Sequence, residues 1–254
     1  MFSLEVESGG EAREFLIAEL WERGSTGIVE EEALVRAFFE DDADSAGLVE
    51  RFGGRITRHA SRDWVEFSRT GWASMAVGSR FYLVPNWMDD PAPEGRLRIA
   101  INPGLACGTG YHEATQMCLE ALEEYQRADM TVLDVGTGSG LLSIAAGMLG
   151  ARRVIGCDVD PVAVEIARRA GVVTFNGSVD AVRSGSCDLI VANINAPMSI
   201  ALAADFLRCL AAGGRVVVSG FEAHEAPAVE RAYAAVEKKL AKGEWRALIV
   251  TRKD

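Results

Sequence analysis

The sequence lacks the features of membrane, secreted and zinc-binding proteins. No run approaches the ~18 consecutive apolar residues of a membrane-spanning helix. The opening MFSLEVESGGEAREF has neither the basic nor the apolar region of a secretory signal. The five cysteines are scattered and include no C-x-x-C pair, which argues against a zinc site or a disulfide framework. We therefore expect a cytoplasmic protein with no bound metal and no membrane association.

Positive charge is scarce, above all in the first quarter of the chain. The 254 residues carry a net charge of −11, and residues 1–60 hold 14 Asp and Glu against six Arg and no Lys, a net of −8. Such a field repels nucleic-acid phosphates and attracts basic partners. It predicts either a solvated surface or a docking surface for a basic macromolecule, and it argues against direct nucleic-acid binding.

Apolar residues are abundant, at 49% of the chain, and their pattern divides it in two. Residues 1–80 follow the order strand, helix, two strands, helix and strand, which favours a small α+β domain of ferredoxin-like type. Residues 81–100 contain three of the seven prolines and an acidic cluster, typical of a linker. In residues 101–254 apolar strands alternate with helices, which predicts a doubly wound, mostly parallel α/β sheet of Rossmann-like type.

The stretch VLDVGTGSG, residues 132–140, follows the first strand of this second domain and precedes a helix. Ligands of such sheets bind at the carboxyl ends of the strands, so Gly136 and Gly138 are candidate contacts that let a ligand approach the backbone. Asp158 ends the next strand, 22 residues after Gly136, where a carboxylate can accept hydrogen bonds from ribose hydroxyls. Leu141 stands where a dinucleotide fingerprint has its third glycine, which argues against NAD or FAD.

Two polar stretches follow later strands of the domain. Asp160 and Pro161 predict the N-cap and first residue of a helix. Asn193 ends the fourth strand, where its amide can orient an amine or the amino-acid part of a cofactor, because it has both donors and an acceptor.

Four motifs together resemble S-adenosylmethionine-dependent methyltransferases of the seven-stranded class, and most closely the PrmA family of ribosomal protein L11 methyltransferases. The motifs of that family look like PGxAFGTGxHxTT, DxGxGSG, DIDP and ANIL. This chain reads PGLACGTGYHEAT from Pro103, DVGTGSG from Asp134, DVDP from Asp158 and ANIN from Ala192. The stretch from residue 63 to 87 is also similar to the family's inter-domain segment, so the likeness covers roughly residues 60–220.

The resemblance implies a seven-stranded Rossmann-like sheet that binds S-adenosylmethionine through Thr115, Gly136, Asp158 and Asn193. Thr109 is a further candidate contact, because its loop is expected to fold over the amino-acid end of the cofactor. The likeness also implies that the first domain docks a large-subunit ribosomal protein, L11, while the second methylates its lysine and/or N-terminal amines. The chain departs from the family's pattern at Ser68, Cys107, Ala114 and Ser178.

The expected chemistry requires a neutral, well-placed amine, since the cofactor already carries an activated methyl group. No catalytic residue is assigned; Asn193 is the candidate for orienting the amine, with water removing the proton. His112 lies at the start of a predicted helix, where we interpret it as a cap or as a residue that closes over the pocket; the alternative is a general base. Competing functions are methylation of another protein or a small amine, nicotinamide-dependent oxidation or reduction, and a binding module without catalytic activity.

Overall fold

The computed structural model describes residues 1–8, 12–30, 34–58, 72–102 and 110–252. The chain divides into two compact units, Met1–Trp72 and Ala73–Asp254. The sequence-based candidates Ser68, Cys107 and Thr109 lie outside the described residues. None of the helices in the described ranges combines the length and the apolar character needed to cross a membrane.

Within its described residues, the first unit is a four-stranded antiparallel sheet with two helices, and its strands lie in the order β2-β3-β1-β4. The FSLEVE alternation forms β1, which buries Phe2 and Leu4 completely, and the Phe2 ring stacks on Phe39 of β3. Its elements are β1 Phe2–Glu7, α1 Ala12–Glu22, β2 Gly27–Glu30, β3 Leu34–Phe39, α2 Ser45–Phe52 and β4 Arg55–Arg58.

The second unit begins with a three-stranded sheet: its first strand lies within residues 1–80, expected to be the first domain, and the other two lie mainly within residues 81–100, expected to be a linker. Its strands are β5 Met75–Val77, β6 Phe81–Pro85 and β7 Leu97–Ile101, with β6 antiparallel to β5 and parallel to β7. The prolines and acidic residues between β6 and β7 form only the connection between the two strands. Phe81 and Leu83 are fully buried, so the segment contributes to the core of the second unit.

The main sheet of the second unit has seven strands in the order β10-β9-β8-β11-β12-β14-β13. The first five in that order are parallel neighbours, and β14 runs antiparallel to both β12 and β13. The strands are β8 Thr131–Val135, β9 Arg153–Asp158, β10 Thr174–Asn176, β11 Cys187–Asn193, β12 Leu210–Glu222, β13 Val236–Lys242 and β14 Trp245–Thr251.

Helices cover both faces of this sheet, which explains its nearly continuous apolar strands. Along β11, Leu189 and Val191 join the core on one face, whereas Ile190 and Ala192 join the core on the other. The helices are α3 Glu113–Tyr125, α4 Leu141–Met148, α5 Pro161–Arg169, α6 Ala196–Ala201, α7 Ala203–Cys209 and α8 Ala226–Arg231.

The structure differs from the sequence prediction at two elements of this unit. The sequence APMSIALAADFLRCLAA, residues 196–212, predicts one long helix, but the structure has two short helices, α6 and α7, which meet at Leu202. The sequence APAVERAYAAV, residues 226–236, predicts a helix followed by one closing strand, but the structure has strand β13 between α8 and β14. The Asp160–Pro161 helix start is confirmed, since the Val162 N–H donates to Asp160 Oδ1 at 2.8 Å.

The strand order places a crevice at the carboxyl ends of β8 and β11. From β8 the chain passes to β9 and β10 on one side, and then crosses to β11 and β12 on the other. The connections that leave β8 and β11 therefore run in opposite directions and leave a crevice between them. Open α/β sheets bind ligands at such a point.

Gly220 lies at a register shift of β12 beside this crevice, and we expect alanine there to be costly. Its φ is +96°, and a Cβ would lie 2.6 Å from the Ile194 carbonyl oxygen. Gly213 has a φ of +72° with nothing within 4 Å of its would-be Cβ, so it is the matched control. Gly213→Ala should cost about 1–2 kcal/mol through backbone strain alone, and Gly220→Ala about 3 kcal/mol or more because the backbone must also move. Equal losses in urea unfolding would contradict this account.

Candidate functional site

The glycine turn after β8 forms one side of the crevice. Gly136, Gly138 and Gly140 all have positive φ, at +73°, +53° and +82°, a conformation that residues with a Cβ rarely adopt. Gly140 is also the N-cap of α4, where a Cβ would lie 3.0 Å from Val172 and 3.2 Å from Ala167. The glycines are therefore required by the turn and by close helix packing.

A buried carboxylate secures this turn, and the sequence analysis did not assign it a role. Asp134 in β8 is fully buried. Its Oδ2 accepts hydrogen bonds from Thr137 Oγ1 and Ser143 Oγ, both at 2.7 Å, and from the Ser143 N–H at 3.1 Å. Burial raises the pKa of the Asp134 carboxyl, whereas the hydrogen bonds from Ser143 and Thr137 lower it. The sequence signal that could have identified it is a lone acidic residue within the apolar strand TVLDV.

Asp158, at the end of β9, faces the same turn. Its Oδ2 accepts a hydrogen bond from the Gly138 N–H at 3.0 Å, and its Oδ1 accepts one from the Asp160 N–H at 3.0 Å. A carboxylate has about four lone-pair sites, so each oxygen retains capacity for one more donor. The neighbouring backbone thus fixes the carboxylate while leaving it able to bind two hydroxyls.

Asn193 and Thr115 meet on the other side of the crevice. The Asn193 Nδ2 donates to Thr115 Oγ1 at 2.9 Å, although the two residues are 78 positions apart. Thr115 lies in the first turn of α3 and is 1% exposed. This bond joins the N-terminus of α3 to the carboxyl end of β11.

These side chains surround one cavity of about 340 Å³, a volume within the usual range of ligand sites. Five of the six candidate cofactor contacts line it: Thr115, Gly136, Gly138, Asp158 and Asn193. The sixth, Thr109, lies outside the described residues. Ser178, a position of departure from the family's pattern, also lines the cavity next to Gly177.

The lining is suited to a ligand with hydroxyl groups and an apolar body. Among the described residues that line the cavity, Asp158 is the only one with a carboxylic or basic side chain, and it lies beside the glycine turn. Apolar contact is available from Leu141, Leu142, Met198 and Leu202. Such a lining binds by hydrogen bonds and burial rather than by pairing with a strongly charged group.

His112 does not line this cavity in the described structure. It is the N-cap of α3, where its Nδ1 accepts a hydrogen bond from the Ala114 N–H at 3.3 Å. Its ring also packs edge-on against Trp245, with 4.2 Å between ring centroids. These contacts favour a capping role over that of a general base.

Comparison with known proteins identifies relatives of the whole second unit and much of the first. Residues 17–253 match the family model of "Ribosomal protein L11 methyltransferase (PrmA)". Curated proteins of that name are similar: one from Pelobacter propionicus is 33% identical over 86% of this chain and 81% of its own length. One from Symbiobacterium thermophilum is 39% identical over 81% of this chain and 70% of its own, and one from Burkholderia cenocepacia is 38% identical over 76% and 65%.

A solved structure agrees with these matches. The crystal structure of a ribosomal protein L11 methylase from Lactobacillus delbrueckii subsp. bulgaricus has a TM-score of 0.67 and 32% sequence identity to this chain. The similarity covers 72% of this chain and all of that one.

The burial of Asp134 predicts how stability depends on pH. Because the native pKa is raised above the unfolded value of about 3.9, the native state binds more protons between the two values. The free energy of unfolding should therefore fall as pH rises through that window. Asp134→Asn keeps an amide oxygen for the three donors but cannot titrate, so its unfolding free energy should change less with pH than that of the wild type.

Ser143→Ala should have the opposite effect to Asp134→Asn. It removes a hydrogen bond that lowers the pKa of Asp134, so the pKa should rise further and the decline in unfolding free energy should extend to higher pH. Urea unfolding of the three proteins across a pH series measures both effects. An unchanged pH slope in Asp134→Asn would show that this carboxyl does not carry the dependence.

Proposed function

The chain belongs to the ribosomal protein L11 methyltransferase (PrmA) family, and we propose that it transfers methyl groups from S-adenosylmethionine to lysine and/or N-terminal amines of a large-subunit ribosomal protein. The observation that carries the proposal is the meeting of Thr115, Gly136, Asp158 and Asn193 around one cavity. These positions come from four motifs, and the first and last of them, Thr115 and Asn193, are 78 positions apart.

The cavity fits S-adenosylmethionine by the chemistry of its donors and acceptors. The two remaining lone-pair sites of Asp158 match the two hydroxyls of a ribose. The positive-φ glycines, including Gly138, allow the nucleoside to lie against the backbone. Ser178 lies beyond Asp158 on the side of β10, where it would contact the base, and Asn193 and Thr115 lie on the side of β11, where they would hold the amino-acid part.

In this proposal the protein's contribution is positional. The bound cofactor supplies a methyl group that is already activated by its sulfonium. Asn193 and nearby backbone carbonyls orient the acceptor amine. The proton leaves to water, because Asp158, the one carboxylic or basic side chain among the described lining residues, is held by two backbone N–H groups and assigned to the ribose. A lysine of pKa ~10.4 is neutral in only on the order of one part in 10³ at pH 7, so a lysine target benefits from desolvation, and an α-amine of pKa about 7.7–8.0 needs less help.

The first unit is proposed to recognise the substrate. Its net negative charge attracts a basic protein, and its strand order β2-β3-β1-β4 supports the ferredoxin-like assignment. The proposed division is a recognition domain within residues 1–80 and a methyltransferase domain of the seven-stranded class in 101–254. The strands in residues 81–100, which were expected to be a linker, belong to the second unit. A cytoplasmic location and the absence of direct nucleic-acid binding belong to the same proposal.

Transfer of label from tritiated S-adenosylmethionine to a bacterial ribosomal protein extract tests the function. One labelled band at the mass of L11 is the expected result. Label in another protein or in a small amine would show that the enzyme methylates a different acceptor. No label despite tight binding of S-adenosylhomocysteine would indicate a binding module, and binding of NADH in its place would favour an oxidoreductase.

Removal of the Asp158 carboxylate should weaken cofactor binding selectively. Asp158→Ala loses hydrogen bonds to both ribose hydroxyls, each of about 1.5–3 kcal/mol for a charged acceptor, so Kd for S-adenosylhomocysteine should rise at least tenfold. Asp160→Ala is the control, because that carboxylate caps α5 through the Val162 N–H. It should lower stability by about 1 kcal/mol and leave Kd unchanged. Isothermal titration calorimetry of both variants measures this, and equal effects on Kd would contradict the assigned role.

A further inference from the structure

The wall of the cavity beside β10 is made by Gly177 and Ser178. The chain then makes a short 3-10 turn, Val179–Ala181, and continues as a loop to β11. On its upstream side Gly177 is held by β9, since its N–H donates to the Asp158 carbonyl at 2.9 Å. The downstream side has no strand partner, so the loop requires another support.

Arg208 supplies that support from α7. Its guanidinium donates at 2.7 Å to the Val182 carbonyl and at 3.1 Å to the Val179 carbonyl. The same two nitrogens reach Ser184 Oγ at 3.2 Å and the Asp180 carbonyl at 3.3 Å. One side chain thus ties the whole loop from 179 to 184. A planar guanidinium can reach several acceptors at once in fixed directions, whereas a lysine ammonium cannot.

The same helix connects this support to the cavity. Arg208 lies in the last turn of α7, and its Nε donates to Asp205 Oδ1 at 2.8 Å, which orients the guanidinium toward the loop. Leu202, at the start of α7, lines the cavity itself. A helix of seven residues therefore contacts the cavity at one end and holds its wall at the other.

We propose that Arg208 is a positioning residue that holds the base-side wall of the cofactor cavity in its binding shape. The inference rests on the proposed function, which identifies the occupant of the cavity as a nucleoside cofactor. Arg208 does not line the cavity, so its effect is transmitted through the loop to Ser178. Its loss should weaken cofactor binding and leave the transfer step unchanged once the cofactor is bound.

The fold should survive the change, because the loop has other attachments. The Cys209 Sγ contacts the Val182 and Val179 carbonyls at 3.4 and 3.6 Å. The Gly185 N–H donates to the Arg208 backbone carbonyl at 3.0 Å, a bond that does not depend on the side chain. We therefore expect Arg208→Lys to make the 179–184 loop less ordered without unfolding the protein.

Arg215→Lys is a closely matched control. The side chains of Arg208 and Arg215 are both 34% exposed, and each pairs at 2.8 Å with a carboxylate that is 35% exposed, Asp205 and Glu237 respectively. Arg215 makes no hydrogen bond to the 179–184 loop among the described contacts. Any general effect of replacing a half-buried, paired arginine should appear equally in both variants.

The test measures Kd for S-adenosylhomocysteine, KM for S-adenosylmethionine, kcat at saturating cofactor, and amide hydrogen exchange of the ligand-free protein. Arg208→Lys should raise Kd and KM about three- to tenfold, the scale expected when a binding surface must be ordered on binding. Its kcat should stay within about twofold of wild type, and exchange should accelerate at the Ala181 and Val182 amides. Arg215→Lys should match the wild type in every measurement.

An unchanged Kd in Arg208→Lys, or equal weakening in both arginine variants, would overturn the inference while leaving the proposed function intact. Failure of the wild type to bind S-adenosylhomocysteine would overturn the proposed function and this inference with it. If Arg208→Lys does not fold, Asp205→Asn replaces it, because it weakens only the bond that orients Arg208. A smaller rise in Kd is then expected, and no rise would overturn the inference.

Discussion

The cavity depends on a buried carboxylate that cannot reach water. Asp134 must find its hydrogen-bond donors inside the protein, and it finds them in Thr137 of the glycine turn and Ser143 of α4. The strand, the turn and the helix are thereby tied at one oxygen atom. A turn rich in positive-φ glycine has little intrinsic preference for one shape, so this anchor specifies the shape that faces the ligand.

The ligand side of the turn uses a second carboxylate in a different way. Asp158 accepts one backbone N–H on each oxygen and keeps its remaining capacity for a ligand. Both carboxylates thus restrain the turn, but only Asp158 lies at the cavity. Asn193 and Thr115 complete the opposite side through their mutual hydrogen bond. Four strand ends and one helix N-terminus thus line the cavity, which is possible because parallel strands present their carboxyl ends at one edge.

The sequence predicted elements best where apolar residues were continuous and worst where they were sparse. The strands of the seven-stranded sheet that carry Val, Ile and Leu were predicted. Strand β13 was missed, because VEKKLAK is an edge strand whose lysines pair with acidic groups at the surface. Residues 81–100 were predicted to be a linker because clustered prolines usually mark loops. In the structure Phe81 and Leu83 of this segment are buried. The long helix after β11 is broken at Leu202, where no proline or glycine signals the break.

Local rules were sufficient for the glycine turn, the Asp160 cap and the alternation of strands and helices, since each depends on neighbouring residues alone. By themselves these sequence signals also identified Gly136, Asp158 and Asn193 as residues of one edge. Only the tertiary structure decided which carboxylate is buried and which remains available, and that Arg208 supports a loop more than twenty residues away. The physical reason is that desolvation and hydrogen-bond saturation depend on everything packed around an atom, and the linear order of residues does not contain that arrangement.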